Sequence, residues 1–87
     1  MRLTIIKNDG YVSIDGVGYL DINLSSLDKS VNAVQWYNTD GEVEIKDNRN
    51  RIIENKEITN IDEYLFVVPL WQEKKDEAIA NENRSKV

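Results

Sequence analysis

Neither cysteine nor histidine occurs in this 87-residue sequence. The first absence excludes disulfides and thiolate chemistry, and the second excludes imidazole acid–base work. Together they exclude a zinc site of the usual Cys/His type. A basic excess is also lacking: eleven Lys and Arg stand against sixteen Asp and Glu, giving a net charge of −5. That sign argues against a protein that neutralises nucleic-acid phosphates and against a polybasic membrane anchor. Long hydrophobic runs are missing too. The most apolar stretch, residues 64–71, is far short of the roughly 20 residues that span a bilayer. The first residues, Met1-Arg2-Leu3-Thr4-Ile5-Ile6-Lys7, have neither the apolar stretch nor the cleavage site of a signal peptide, which predicts a chain that stays in the cytoplasm where it is made.

What remains is an ordinary soluble balance, 40% hydrophobic and 31% charged, in a length that suits one small domain. Such a chain buries only about 60–65% of its unfolded surface, so its stability is modest unless a partner adds more. Residues 72–87 carry four acidic and four basic side chains, which confines the acidic excess to residues 1–71.

The first half reads as short strands broken by turn signals. Leu3 and Ile5 alternate with Thr4 and Ile6, and Asn8-Asp9-Gly10 supplies a turn. Val12 and Ile14 alternate with Tyr11 and Ser13. Asp15-Gly16 then matches the two-residue type I′ hairpin, in which both residues take positive φ. Residues 17–22 return as a third strand, with Gly18 marking a bulge. Leu24-Ser25-Ser26-Leu27-Asp28 breaks the alternation as a loop or short helical turn. A second hairpin runs from residues 31–37 to residues 42–46. With Asp40-Gly41 as its turn, Asn38 faces Val43 and Trp36 faces Ile45. One face then carries Val34, Trp36, Val43 and Ile45, with Trp36 at the centre of the core. The other carries Gln35, Tyr37, Glu42, Glu44 and Lys46. After a polar loop at residues 47–51, Ile52-Ile53 reads as a short strand and Glu54-Asn55-Lys56 as a further turn.

Thr59 and Asp62 are spaced as a weak capping box. The β-branched and aromatic content of residues 64–71 suits a buried strand or a helix, which periodicity does not separate over so short a run. The favoured reading is a helical segment from near Asp62, kinked or restarted at Pro69, and continuing to about Asn81. The expected fold is mainly β within the α+β class: a small antiparallel meander or partly closed barrel of about five strands, with a C-terminal helix. Residues 1–71 form the β-rich domain and the start of the helix, and residues 72–87 form a charged helix end or frayed tail.

No constellation points to catalysis. The Asp-Gly pairs lack the ligand order of a calcium loop, and turn chemistry accounts for them. Gly16-Val17-Gly18 has no following lysine or helix and is not a phosphate loop. Glu42 and Glu44, about 7 Å apart on one strand face, read as a solvated face rather than as paired glycosidase carboxylates. Lys7, Lys46, Arg49, Arg51 and Lys56 interrupt the acidic surface, which argues against DNA mimicry. The expectation is therefore a protein without enzymatic activity, cofactor or metal.

Contact residues are the remaining candidates. Tyr11, Gln35 and Tyr37 lie on sheet faces where interface contact and cross-strand pairing are equally compatible readings. Tyr64, Phe66, Leu70 and Trp71 belong to a segment apolar nearly all round. Such a segment is either enclosed completely or meets another subunit in part.

Several segments also recur together: Lys7-Asn8-Asp9-Gly10, Val12-Ser13-Ile14-Asp15-Gly16, Leu24-Ser25-Ser26-Leu27, Ala33-Val34-Gln35-Trp36-Tyr37, Gly41-Glu42-Val43-Glu44 and Glu57-Ile58-Thr59. In this order the chain resembles a group of small tailed-bacteriophage proteins, common in marine phages, whose genes lie near tail or tail-fibre genes. The likeness covers about residues 3–72, and the hairpin from Val34 to Glu44 is its most specific part. Pro69 departs from the pattern, and longer relatives continue into a C-terminal extension. The resemblance implies a virion tail-associated structural or accessory protein, in the virion or the cytoplasm of the infected bacterium. It would act by contacts with tail or tail-fibre proteins or with itself, without nucleic acid or membrane insertion. A fibre-assembly chaperone and an early inhibitor of a host protein are the alternatives.

Overall fold

The computed structural model describes residues 1–85; Lys86 and Val87, the end of the expected tail, lie outside the described residues. Six strands form one open antiparallel sheet: β1 (Arg2–Ile6), β2 (Tyr11–Ile14), β3 (Val17–Tyr19), β4 (Val31–Tyr37), β5 (Gly41–Lys46) and β6 (Ile52–Ile58). A helix, α1 (Val67–Ser85), follows. The spatial order β3-β2-β1-β4-β5-β6 joins two three-stranded meanders through the β1–β4 pair. The expected mainly β, α+β architecture holds, with an open sheet and one strand more than expected.

Local chemistry explains most connections. Asp15 and Gly16 both take positive φ, 50° and 87°, and close the β2–β3 hairpin as their dipeptide predicts. The expected bulge at Gly18 is absent, because Gly18 pairs regularly with Ser13. The third strand stops at Tyr19, and Ile22 is buried from the following loop instead. At the β4–β5 hairpin Trp36 faces Gly41 and Val34 faces Val43, so the expected register is displaced. The turn falls on Asn38-Thr39-Asp40, with Asn38 at φ 85° and the Tyr37 N–H donating to the Asp40 carbonyl at 2.7 Å. Gly41 enters the strand for lack of room: a Cβ there would sit 2.2 Å from the Gln35 carbonyl oxygen. The displacement preserves strand parity, so the predicted inside and outside faces survive.

Glu54-Asn55-Lys56 is strand, not turn, paired with Ile45, Glu44 and Val43 of β5. At residues 59–62 no capping box forms. Asn60 Oδ1 accepts from the Asp62 N–H at 2.7 Å and leads into a short 3₁₀ turn, Asp62–Tyr64. The α-helix begins at Val67, which places Pro69 in its first turn, where its missing N–H costs no helical bond. The helix continues past Asn81 to Ser85.

All core side chains lie on one sheet face or on the segments crossing it. Leu3, Ile5, Val12, Val34, Val43 and Val67 are the most deeply enclosed, and each such burial contributes about 1.5–3 kcal/mol. Trp36, expected at the centre of the core, is one of its buried members at 5% exposure and lies beside Gly41. Ile22, Leu24 and Leu27 of the β3–β4 connection, with Tyr64, Val67 and Trp71, close the core from below. A bulge between Val31 and Ala33 turns Val31 inward although its parity opposes that of Val34. The helix packs against β2 and β3. From Gln72 onward its described side chains are exposed except for the partly covered Lys74 and Lys75. No helix among the described residues is long and apolar enough to cross a membrane.

Candidate interaction surface

Among the described residues, every buried strand side chain faces the helix, which leaves the opposite sheet face without a second layer. Strand pairing arranges that free face in cross-strand rows. Gly18, Ser13, Thr4, Gln35, Glu42 and Glu57 stand side by side across all six strands. The next row runs Tyr11, Ile6, Ala33, Glu44 and Asn55, and Arg2 lies beside Tyr37 at one end.

Several of these side chains are held in place before any partner arrives. Thr4 Oγ1 donates to Gln35 Oε1 at 2.8 Å, and the Asn32 amide donates to the Glu44 carboxylate. The Tyr11 ring lies over Gly18, where a Cβ would meet its hydroxyl oxygen at 2.2 Å. An aromatic ring covering a strand glycine stabilises the backbone beneath it. Tyr37 is 46% exposed. A shallow depression of about 140 Å³ is lined by Arg2, Thr4, Ser13, Gly16 and Gln35. The surface is a flat, preordered platform of amide, hydroxyl and carboxylate groups flanked by Tyr11 and Tyr37. Of these side chains, the two tyrosines are of the type enriched at protein interfaces.

A wider concavity, of about 460 Å³, includes Lys7, Lys29 and Lys46 together with Asp28 and Asp47. Both carboxylates are already engaged. The Ser30 hydroxyl (2.7 Å) and then its N–H (2.9 Å) hold Asp28 below the usual carboxylate range, with Lys7 adding a weaker attraction. Asp47 is lowered chiefly by the Arg51 N–H, then by the Arg49 N–H and the Arg51 side chain. Lys7 Nζ donates to the Asp28 carbonyl oxygen at 3.0 Å. These bonds stabilise two polar loops. Among the described residues, no three acidic side chains converge as a cation cage.

The seven candidate contact residues divide into three groups. Tyr11, Gln35 and Tyr37 share the free sheet face. Tyr64 and Trp71 are spent inside the chain at 7% and 8% exposure, so they are core residues. Trp71 Nε1 donates to the Val17 carbonyl at 2.8 Å, and its ring meets Tyr19 with centroids 5.8 Å apart. Phe66 and Leu70 are half-buried against the core at the start of the helix. Within residues 64–71 Tyr64, Val67 and Trp71 are buried, whereas Leu65 is 36% exposed and Phe66, Val68 and Leu70 are only partly covered, so the segment is not completely enclosed within the chain. Residue-type reasoning did not single out Thr4, Ser13 and Arg2. Their signal was positional, as the polar phase of alternating strands. Comparisons with protein-family models, curated proteins and solved structures find no match for this chain.

Proposed function

We propose that this chain is a non-enzymatic binding module of a bacteriophage tail, acting by protein–protein contact through the free sheet face. The observation that carries this reading is the platform itself. Thr4, Gln35 and Tyr11 are fixed by contacts within the chain, so a partner meets groups that need little further ordering. Tyr37 at its end is exposed and available as an aromatic anchor. The resemblance centred on the hairpin from Val34 to Glu44 supports a tail or tail-fibre protein as the partner, because that hairpin contributes Gln35, Tyr37, Glu42 and Glu44 to the face.

Mass spectrometry of purified virions tests the assignment, and detection of the chain in mature particles is the expected result. Co-purification with fibre protein but absence from particles would instead identify an assembly chaperone. Synthesis before the structural proteins, with capture of a host factor, would identify a host inhibitor. On the chain itself, Gln35→Ala combined with Tyr37→Ala should abolish capture of the tail partner while leaving the melting transition in place.

A further inference from the structure

We propose that β6 is a self-complementary edge through which two copies of this chain pair, continuing one sheet antiparallel into the other. This contact is distinct from the sheet face assigned above to tail proteins. β6 is the last strand of the sheet and spans seven residues, Ile52–Ile58, of which all but Ile58 are exposed. The orientation of its backbone groups follows from the neighbouring hairpin. The Tyr37 N–H bonds the Asp40 carbonyl, so by alternation Gly41 and Val43 direct their backbone groups toward β6. Their partners Ile58 and Lys56 therefore bond inward to β5, and Asn55 and Glu57 present N–H and C=O at the free edge.

The side chains select a second copy as occupant. A two-fold axis perpendicular to the sheet keeps each face on its own side, so opposed residues share strand parity. Centred on Asn55, such a pair lets the two Asn55 residues exchange backbone hydrogen bonds. Glu54 of each copy then opposes Lys56 of the other, twice, in the closely spaced non-hydrogen-bonded position. Glu57 opposes Ile53, so no like charges face each other. Moving the axis to residue 54, 56 or 57 opposes Glu54 to itself, Lys56 to itself or Glu57 to itself. Charge therefore favours the Asn55-centred register over these neighbours.

Sedimentation of the full chain tests this pairing. With rising concentration, up to about 1 mM to cover a weak interface, the mass should climb from 10.1 kDa toward twice that value. Glu54→Lys or Lys56→Glu alone places like charges opposite each other and should weaken association about tenfold or more. The double variant Glu54→Lys/Lys56→Glu should restore it, and an equimolar mixture of the two single variants should associate. Both side chains are exposed, so in dilute samples where every form is monomeric, circular dichroism and the melting temperature of every variant should stay as in the unsubstituted chain. A mass that remains monomeric throughout would overturn the proposal, as it would if β6 receives a strand of another protein. Association that is indifferent to the charge swaps would overturn it equally.

Discussion

β3 and β6 are both edge strands, yet the fold treats them in opposite ways. β3 is three residues long, and the helix lies against it: Trp71 bonds the Val17 carbonyl and packs on Tyr19, while Lys75 Nζ sits 5.2 Å from the Trp71 ring centre. On its other face, Tyr11 covers Gly18. β6 is seven residues long and exposed on both faces over most of its length, with Ile53 62% exposed. A short edge held beneath a helix is poorly suited to strand addition, whereas a long bare edge is suited to it. The difference follows from where apolar side chains were placed. The core extends under β1, β2, β4 and the first half of β5, and β6 places Glu54 and Lys56 on the same side as the core.

The comparison breaks first at Trp71. Trp71→Ala removes a buried ring and the bond to Val17, so it should cost about 3–5 kcal/mol in chemical denaturation and release the helix from β3. Gly18→Ala comes next. The new methyl must displace the Tyr11 ring and should cost about 1–3 kcal/mol. In a Tyr11→Ala background the same change should cost close to nothing, a coupling that a double-mutant cycle reads directly.

Much of the β3 side is legible in sequence, because its signals are local. Asp15-Gly16 specifies the hairpin by φ alone, and alternation assigns Leu3, Ile5, Val12 and Ile14 to the core. At Asp40-Gly41 the same dipeptide misleads. There glycine is required by the proximity of the Gln35 carbonyl, a tertiary constraint that composition does not encode. Glu54-Asn55-Lys56 resembles a turn for a related reason: an edge strand wet on both faces loses the apolar alternation by which strands are recognised. Of the candidate surface, Gln35 and Tyr37 of the hairpin and Tyr11 of β2 are legible in the sequence, whereas Thr4 is not, since the pairing of β1 with β4 that brings it to Gln35 joins residues far apart in sequence.

Smaller effects sharpen the contrast. Tyr64, where the chain crosses from β6 to the helix, has its hydroxyl pKa raised, first by burial and then by Glu63 and Asp28. Because the folded value lies above the unfolded one, the neutral phenol's contribution is complete below about pH 10 and is lost as pH rises through the folded pKa. Alkaline melting should therefore show a decline that Tyr64→Phe reduces. Asp28 and Asp47 act in the opposite sense. Their lowered values contribute stability above about pH 4 that is lost as pH falls through the folded pKa. Least of all should matter at the open edge, where Ile53→Ser is expected to shift the stability of the dilute monomer by no more than about 0.5 kcal/mol.

Amide hydrogen exchange along β6 in a dilute, monomeric sample tests the asymmetry of the two edges most directly. Lys56 and Ile58, bonded to β5, should be protected, whereas Asn55 and Glu57 should exchange at nearly the rate of an unstructured chain. Uniform protection of all four amides in that sample would contradict an open edge.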